Sequence, residues 1–82
     1  MKYFVIYAWG DCPFCLSAKE LLEEKGERHM MIYLDNDDVL LNYFQKLYDW
    51  PTVPIILFHN TEEHDTTLIG GYTDLIAHLE AE

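Results

Sequence analysis

Residues 2–34 spell out a strand, a helix and a second strand, and this β-α-β unit limits the folds open to the chain more than any other feature. KYFVIY at 2–7 is β-branched and aromatic and reads as a buried strand. GDCP at 10–13 breaks that pattern. From Pro13, the apolar residues Phe14, Ala18, Leu21 and Leu22 recur at helical spacing with Cys15 beside them. Lys19, Glu20, Glu23 and Glu24 supply the wet face. Pro13 suits the first helical position, where a missing N–H loses no partner, and Gly26 is a natural stop. RHMMIYL at 28–34 reads as the second strand.

The rest of the chain completes a sheet around that unit. DNDDVLLNYFQKLYDW at 35–50 starts acidic, which suits the positive end of a helix dipole, and Val39, Leu40, Tyr43, Phe44 and Leu47 follow at helical spacing. VPIILFHN at 53–60 is a third strand, apolar enough to be central. NTEEHD reads as a turn and TTLIG at 66–70 as a fourth strand pairing back in a hairpin. After Gly70 and Gly71, YTDLIAHLEAE predicts a last short helix with Thr73 or Asp74 as its cap. The order β-α-β-α-β-β-α implies an α/β chain, one domain over 1–82, with a mixed four-stranded sheet flanked by three helices.

Composition narrows the function. Half the residues are apolar and 15% aromatic, which argues for a packed core rather than a disordered acidic tail. The net charge is −10 and only five residues are Lys or Arg, too few to neutralise a nucleic-acid backbone. The acidic residues gather at 35–38, 62–65 and 80–82, on expected loops and the tail, and read as a solvated surface. No apolar run is long enough to span a bilayer. MKYFVIYAWG lacks a small-residue cleavage site and reads as the first strand, so a cytoplasmic location is expected. A monomer is expected too, since no heptad or large exposed apolar stripe is evident.

The chain has two cysteines, Cys12 and Cys15, at the start of the first helix. A disulfide between them closes a very short loop and constrains the unfolded chain little, so a structural staple is a weak reading. A structural zinc site needs about four ligands. The histidines at 29, 59, 64 and 78 are scattered, and no two have the close spacing of a zinc motif. Thiol–disulfide exchange fits best. A cysteine just before a helix N-terminus feels unpaired N–H groups and the helix dipole, both of which favour thiolate. Cys12 occupies that place, and Cys15, almost one turn on, is near enough to attack a mixed disulfide formed there. Asp11 opposes the thiolate, but an exposed carboxylate is well screened.

Three separated motifs carry a family resemblance over nearly the whole chain. CPFC at 12–15 resembles the dithiol motif of glutaredoxins, with Phe14 where tyrosine is more usual. TVP at 52–54 resembles the loop before their third strand, whose proline is cis, and GGYTD at 70–74 resembles the Gly-Gly-x-x-Asp segment opening their last helix. The resemblance implies a thioredoxin-like fold. It also implies a glutathione-dependent oxidoreductase, without a tightly bound cofactor, that reduces protein disulfides or glutathione mixed disulfides. Cys12 would attack and Cys15 resolve. A cis Pro54 would turn the Val53 backbone outward to pair with glutathione as an added strand does. Thr73 and Asp74 would receive the γ-glutamyl end, Gly70 and Gly71 would allow the close backbone approach that bend needs, and Phe14 and Tyr72 would line the groove. A ribonucleotide reductase is among the protein substrates the resemblance implies.

The chain departs from the family at two basic positions. Trp9 stands where many members carry a lysine, and Trp50 and Pro51 stand where many carry an arginine. Lys46, and Gln45 by hydrogen bonding, can substitute in part. One lost charge-assisted bond weakens binding by about 1.5–3 kcal/mol, or tenfold or more. Two related readings follow: a redoxin reduced by thioredoxin reductase, and an iron–sulfur carrier sharing a cluster between two chains. Pro13 counts against the carrier, because cluster-binding relatives usually lack proline there.

Overall fold

The computed structural model describes residues 1–81. Its elements follow the expected order: β1 (Lys2–Ala8), α1 (Pro13–Glu24), β2 (His29–Tyr33), α2 (Asp38–Leu47), β3 (Ile55–Asn60), β4 (Asp65–Gly70) and α3 (Tyr72–Glu80). The strands form one sheet in the order β2-β1-β3-β4. β1 pairs with β2 in parallel and with β3 antiparallel, and β4 pairs antiparallel with β3. The sheet is therefore mixed, as the alternation of elements requires.

Period-two alternation in the two central strands sends residues to opposite layers. Phe4, Ile6, Ala8 and Ile56 join Cys15, Ala18 and Leu22 of α1 and Leu75 of α3 in one buried cluster. Ile55 packs instead with Leu34 and Leu41, and Tyr7, Phe44 and Tyr48 border that second cluster. So α1 and α3 cover one face and α2 the other.

The structure revises three local expectations. Spacing alone assigned Val39, Leu40, Tyr43, Phe44 and Leu47 to the inward face of α2. The buried residue is Leu41, with Phe44 and Tyr48 half-buried beside it. This helix carries more apolar residues than one face can bury. The sheet takes the 41/44/48 face because Phe44 stacks on Tyr7 at 4.1 Å and lies 6.4 Å from the Tyr48 ring. Val39 (83% exposed), Tyr43 and Leu47 are left at four-residue spacing on the solvent side, so α2 does carry an exposed apolar stripe. Second, β3 begins at Ile55, and Val53 and Pro54 form the loop before it. Third, α3 is capped at Gly71, and Asp74, already inside the helix, reaches back to it.

The start of α2 follows the sequence closely. Asp37 Oδ1 accepts a hydrogen bond from the Leu40 N–H at 2.9 Å, and Asp38 lies in the first turn. Asp37→Ala should lower stability by about 1 kcal/mol. Urea unfolding would show an earlier midpoint with an unchanged slope, since the exposed area does not change.

Candidate active site

Cys12 caps α1, and its position decides which sulfur can react. Its backbone is extended, Pro13 occupies the first helical position, and the Leu16 N–H bonds the Cys12 carbonyl at 3.0 Å. Because Pro13 has no N–H, an early free donor is that of Cys15, which points at Cys12 Sγ from 3.2 Å. The two cysteines are joined as a disulfide with Cα atoms 5.2 Å apart. Cys15 is 1% exposed and packed in the core, whereas Cys12 is only half-buried. One cysteine is open to solvent and the other lies beneath it in the core.

Two cavities adjoin this segment. The first, about 210 Å³, is lined by Phe14 and by three distant stretches: Trp50, then Thr52 to Pro54, then Gly71 to Asp74. The Val53–Pro54 bond is cis. Neither the N–H nor the carbonyl of Val53 takes part in a backbone hydrogen bond among the described residues. The Phe14 and Tyr72 rings face one another at 6.2 Å. Cys12 and Cys15 line a second cavity of about 280 Å³, with Trp9, Gly10, Asp11, Pro13, Leu16 and Tyr33.

The end of the first groove is shaped by Gly70. A register shift at Ile56/Leu57 brings Gly70 opposite Ile56, and its φ of +118° is open to glycine alone. A Cβ there would lie 2.6 Å from Asp74 Oδ2 and 3.1 Å from the Trp50 ring. The same Oδ2 accepts from the Gly71 N–H at 2.9 Å, so bend, helix cap and groove wall are one unit.

Seven of the residues singled out from the sequence, Phe14, Val53, Pro54, Gly71, Tyr72, Thr73 and Asp74, converge on this groove. Lys46 does not line it. It lies in an adjoining cleft with Asn42, Gln45, Asp49, Trp50 and Pro51. Gln45 is occupied there, donating from Nε2 to the Pro51 carbonyl at 3.0 Å while its own carbonyl accepts the Trp50 N–H. Thr52, from the TVP segment, and Trp50, marked in the sequence only as the replacement of a basic residue, line the groove as well. Trp50 divides the groove from the cleft, and its indole Nε1 is buried without a hydrogen-bond partner. Its place as a groove wall comes from its approach to Gly70 and Gly71, which is made across the fold.

No Lys or Arg lines either cavity. Among the described residues the ion pairs join the N-terminus to Glu62 and Lys19 to Glu23, and none of these groups lines either cavity. Tyr7 lies in the α2-side cluster; burial, and then the nearby Tyr48, hold its phenol above the ordinary value. No group of three His, Cys, Asp or Glu side chains able to hold a metal occurs among the described residues.

The glutaredoxin family model matches residues 4–62. A glutaredoxin of Pseudomonas aeruginosa is 34% identical over 77 residues, covering 94% of this chain and 84% of that one. A probable glutaredoxin of Synechocystis is 48% identical over a shorter stretch of 33 residues, 40% of this chain, and the match spans only 30% of that protein. Among solved structures, a buckwheat glutaredoxin–glutathione complex superposes with a TM-score of 0.77 at 20% identity, over 98% of this chain and 70% of that one.

Proposed function

The chain belongs to the glutaredoxin family of thiol–disulfide oxidoreductases, and from that premise we propose that it uses glutathione to reduce protein disulfides or glutathione mixed disulfides. It would act in the cytoplasm as a monomer, its net charge of −10 opposing self-association despite the exposed stripe on α2. The observation that carries the reading is the asymmetry of the pair: a half-exposed Cys12 at the α1 N-cap, receiving the Cys15 N–H, above a fully buried Cys15.

In the reduced protein, the Cys15 N–H and the α1 N-terminus favour thiolate at Cys12. That thiolate attacks one sulfur of the substrate disulfide. A Cys12–substrate bond forms, the substrate S–S bond breaks, and the departing thiolate takes a proton from water. Cys15 then attacks Cys12 Sγ, releases the second substrate thiol and closes the Cys12–Cys15 disulfide, so the dithiol supplies both electrons. Two glutathione molecules return them. The first opens the disulfide as a mixed disulfide, and the second displaces it as glutathione disulfide.

The groove suits glutathione held as an added strand. Val53 offers a free N–H and carbonyl, the start of α3 offers backbone donors to a carboxylate, and Asp74 offers a partner to an ammonium. The buckwheat structure of the same fold was solved as a glutathione complex. One observation favours thioredoxin reductase as the electron source instead: no cation lines the groove, and Lys46 lies beyond Trp50.

Intact mass separates these sources. Cys15→Ser exposed to glutathione disulfide should accumulate one glutathione adduct, because nothing within the protein can resolve it. Loss of that adduct when Cys12 is also replaced would place it there. A folded Cys15→Ser protein that takes no adduct would overturn the glutathione reading and leave reduction by thioredoxin reductase.

A further inference from the structure

The second cavity is lined by Cys12 and Cys15 but by none of the residues expected to hold glutathione. Three elements contribute a large apolar side chain each: Trp9 after β1 (42% exposed), Leu16 in α1 (54%) and Tyr33 ending β2 (52%). Such side chains scattered singly mean little, but these three converge beside a reactive sulfur. At about 280 Å³ the space lies at the small end of ligand pockets and fits one large side chain.

Its rim is acidic. Asp11 lines the cavity, and Asp35 adjoins it, accepting the Gly10 N–H with both oxygens at 2.9 Å. Neither carboxylate has a cation within ion-pair reach among the described residues, on a chain of net charge −10. Asp35 is already engaged in holding the loop. Asp11 is the acidic residue of the cavity lining and has no hydrogen-bond partner among the described residues.

We propose that this cavity docks the disulfide-bearing segment of a protein substrate, taking a large apolar side chain next to the reactive cysteine against Trp9, Leu16 and Tyr33, and a neighbouring Lys or Arg against Asp11. The inference rests on Cys12 as the attacking sulfur and not on glutathione. Charge decides the occupant: a basic segment is drawn to an unpaired acidic rim, whereas a second copy of this chain would bring a further net charge of −10 to it. Glutathione, with two carboxylates and no large apolar side chain, matches neither feature. The attack and resolution steps are those given above. The docked side chain sets which disulfide sits over Cys12 and adds no chemistry of its own.

The test uses the full-length protein, reduced beforehand and freed of reductant, in single-turnover reactions without glutathione. The probes are three cyclic peptide disulfides that differ only in the two residues before one cysteine: Lys-Phe, Glu-Phe and Ala-Ala. Each rate is divided by the rate of the same peptide with dithiothreitol, which removes intrinsic reactivity. The Lys-Phe peptide should exceed the Ala-Ala peptide by roughly 10–100-fold, the range for filling an apolar pocket. It should exceed the Glu-Phe peptide by roughly 2–5-fold at low salt, a gap that closes as salt rises. Trp9→Ala should remove most of the first ratio, and Asp11→Asn should bring the second toward unity while lowering the first only by the small share that the Lys contributes.

Equal normalised rates for the three peptides in the wild type would overturn the proposal. So would a Trp9→Ala protein that keeps the apolar preference. A preference that disappears as protein concentration rises, with dimers in sedimentation, would overturn it in favour of a second copy as occupant. Failure to reduce any peptide would remove the Cys12 reading and this inference together. Failure of the glutathione reading leaves these rates untouched and shows only in the Cys15→Ser adduct.

Discussion

Cys12→Ser should remove turnover, by roughly 10⁴-fold or more, the scale seen when a covalent nucleophile is deleted. A serine hydroxyl is not appreciably ionised near neutral pH and does not attack disulfides, so no residual route runs through position 12. The fold should persist for a local reason. Cys12 is the N-cap of α1, and serine is among the best N-cap residues, so its Oγ can take the Cys15 N–H that now meets Sγ at 3.2 Å. Thermal unfolding of the reduced proteins should agree within a few degrees while peptide-disulfide reduction falls to background. Turnover surviving in a folded Cys12→Ser protein would move the nucleophile elsewhere. Cys15 is the other cysteine, and its 1% exposure makes it a poor first attacker.

Gly70→Ala should produce the largest structural effect of a single methyl group at the site. At φ +118° an L-side chain costs about 1–3 kcal/mol in backbone strain. The added Cβ meets Asp74 Oδ2 at 2.6 Å and Trp50 at 3.1 Å, and overpacking of this kind costs about 1–3 kcal/mol more. The sum is a sizeable part of the roughly 5–15 kcal/mol that holds a domain together. The melting temperature should fall by about 10 °C or more. Relief of the clash requires Asp74 to leave the Gly71 N–H, which opens the α3 cap and reshapes the groove wall. Adduct formation by the Cys15→Ser protein should slow accordingly.

Gly71 is the control. Its backbone is extended, and a Cβ there finds Trp50 at 3.7 Å and Asp74 at 3.8 Å, ordinary contact distances. Gly71→Ala should cost only about 1 kcal/mol, as an N-cap glycine exchanged for a poorer cap. Equal losses at the two positions would show that the bend and close approach at Gly70 are not what holds the groove's end.

Much of this molecule was legible in its residues. The β-branched and aromatic runs marked the strands, Pro13 and Gly26 bracketed the first helix, and the pattern from 53 to 74 implied the hairpin and final helix. The CPFC, TVP and GGYTD segments were visible as three points along the chain. α2 was the hard case, because an apolar-rich helix presents two competing faces. The 41/44/48 face turned inward for a ring on a neighbouring strand, Tyr7, and not for anything in the helix itself.

The order of elements, the pair of cysteines at a helix start and the acidity of the whole chain are all set by the residues alone. Each depends on side-chain type or on spacing within a few residues, so local physics settles it. The burial of Cys15 under an open Cys12, the walling of the groove by Trp50 rather than Lys46, and the meeting of Trp9, Leu16 and Tyr33 beside the two cysteines arise in the assembled fold. Those placements depend on which face of each element the sheet covers and where separate loops end in space. That outcome comes from minimising exposed apolar area over the whole chain, which no local window of residues contains.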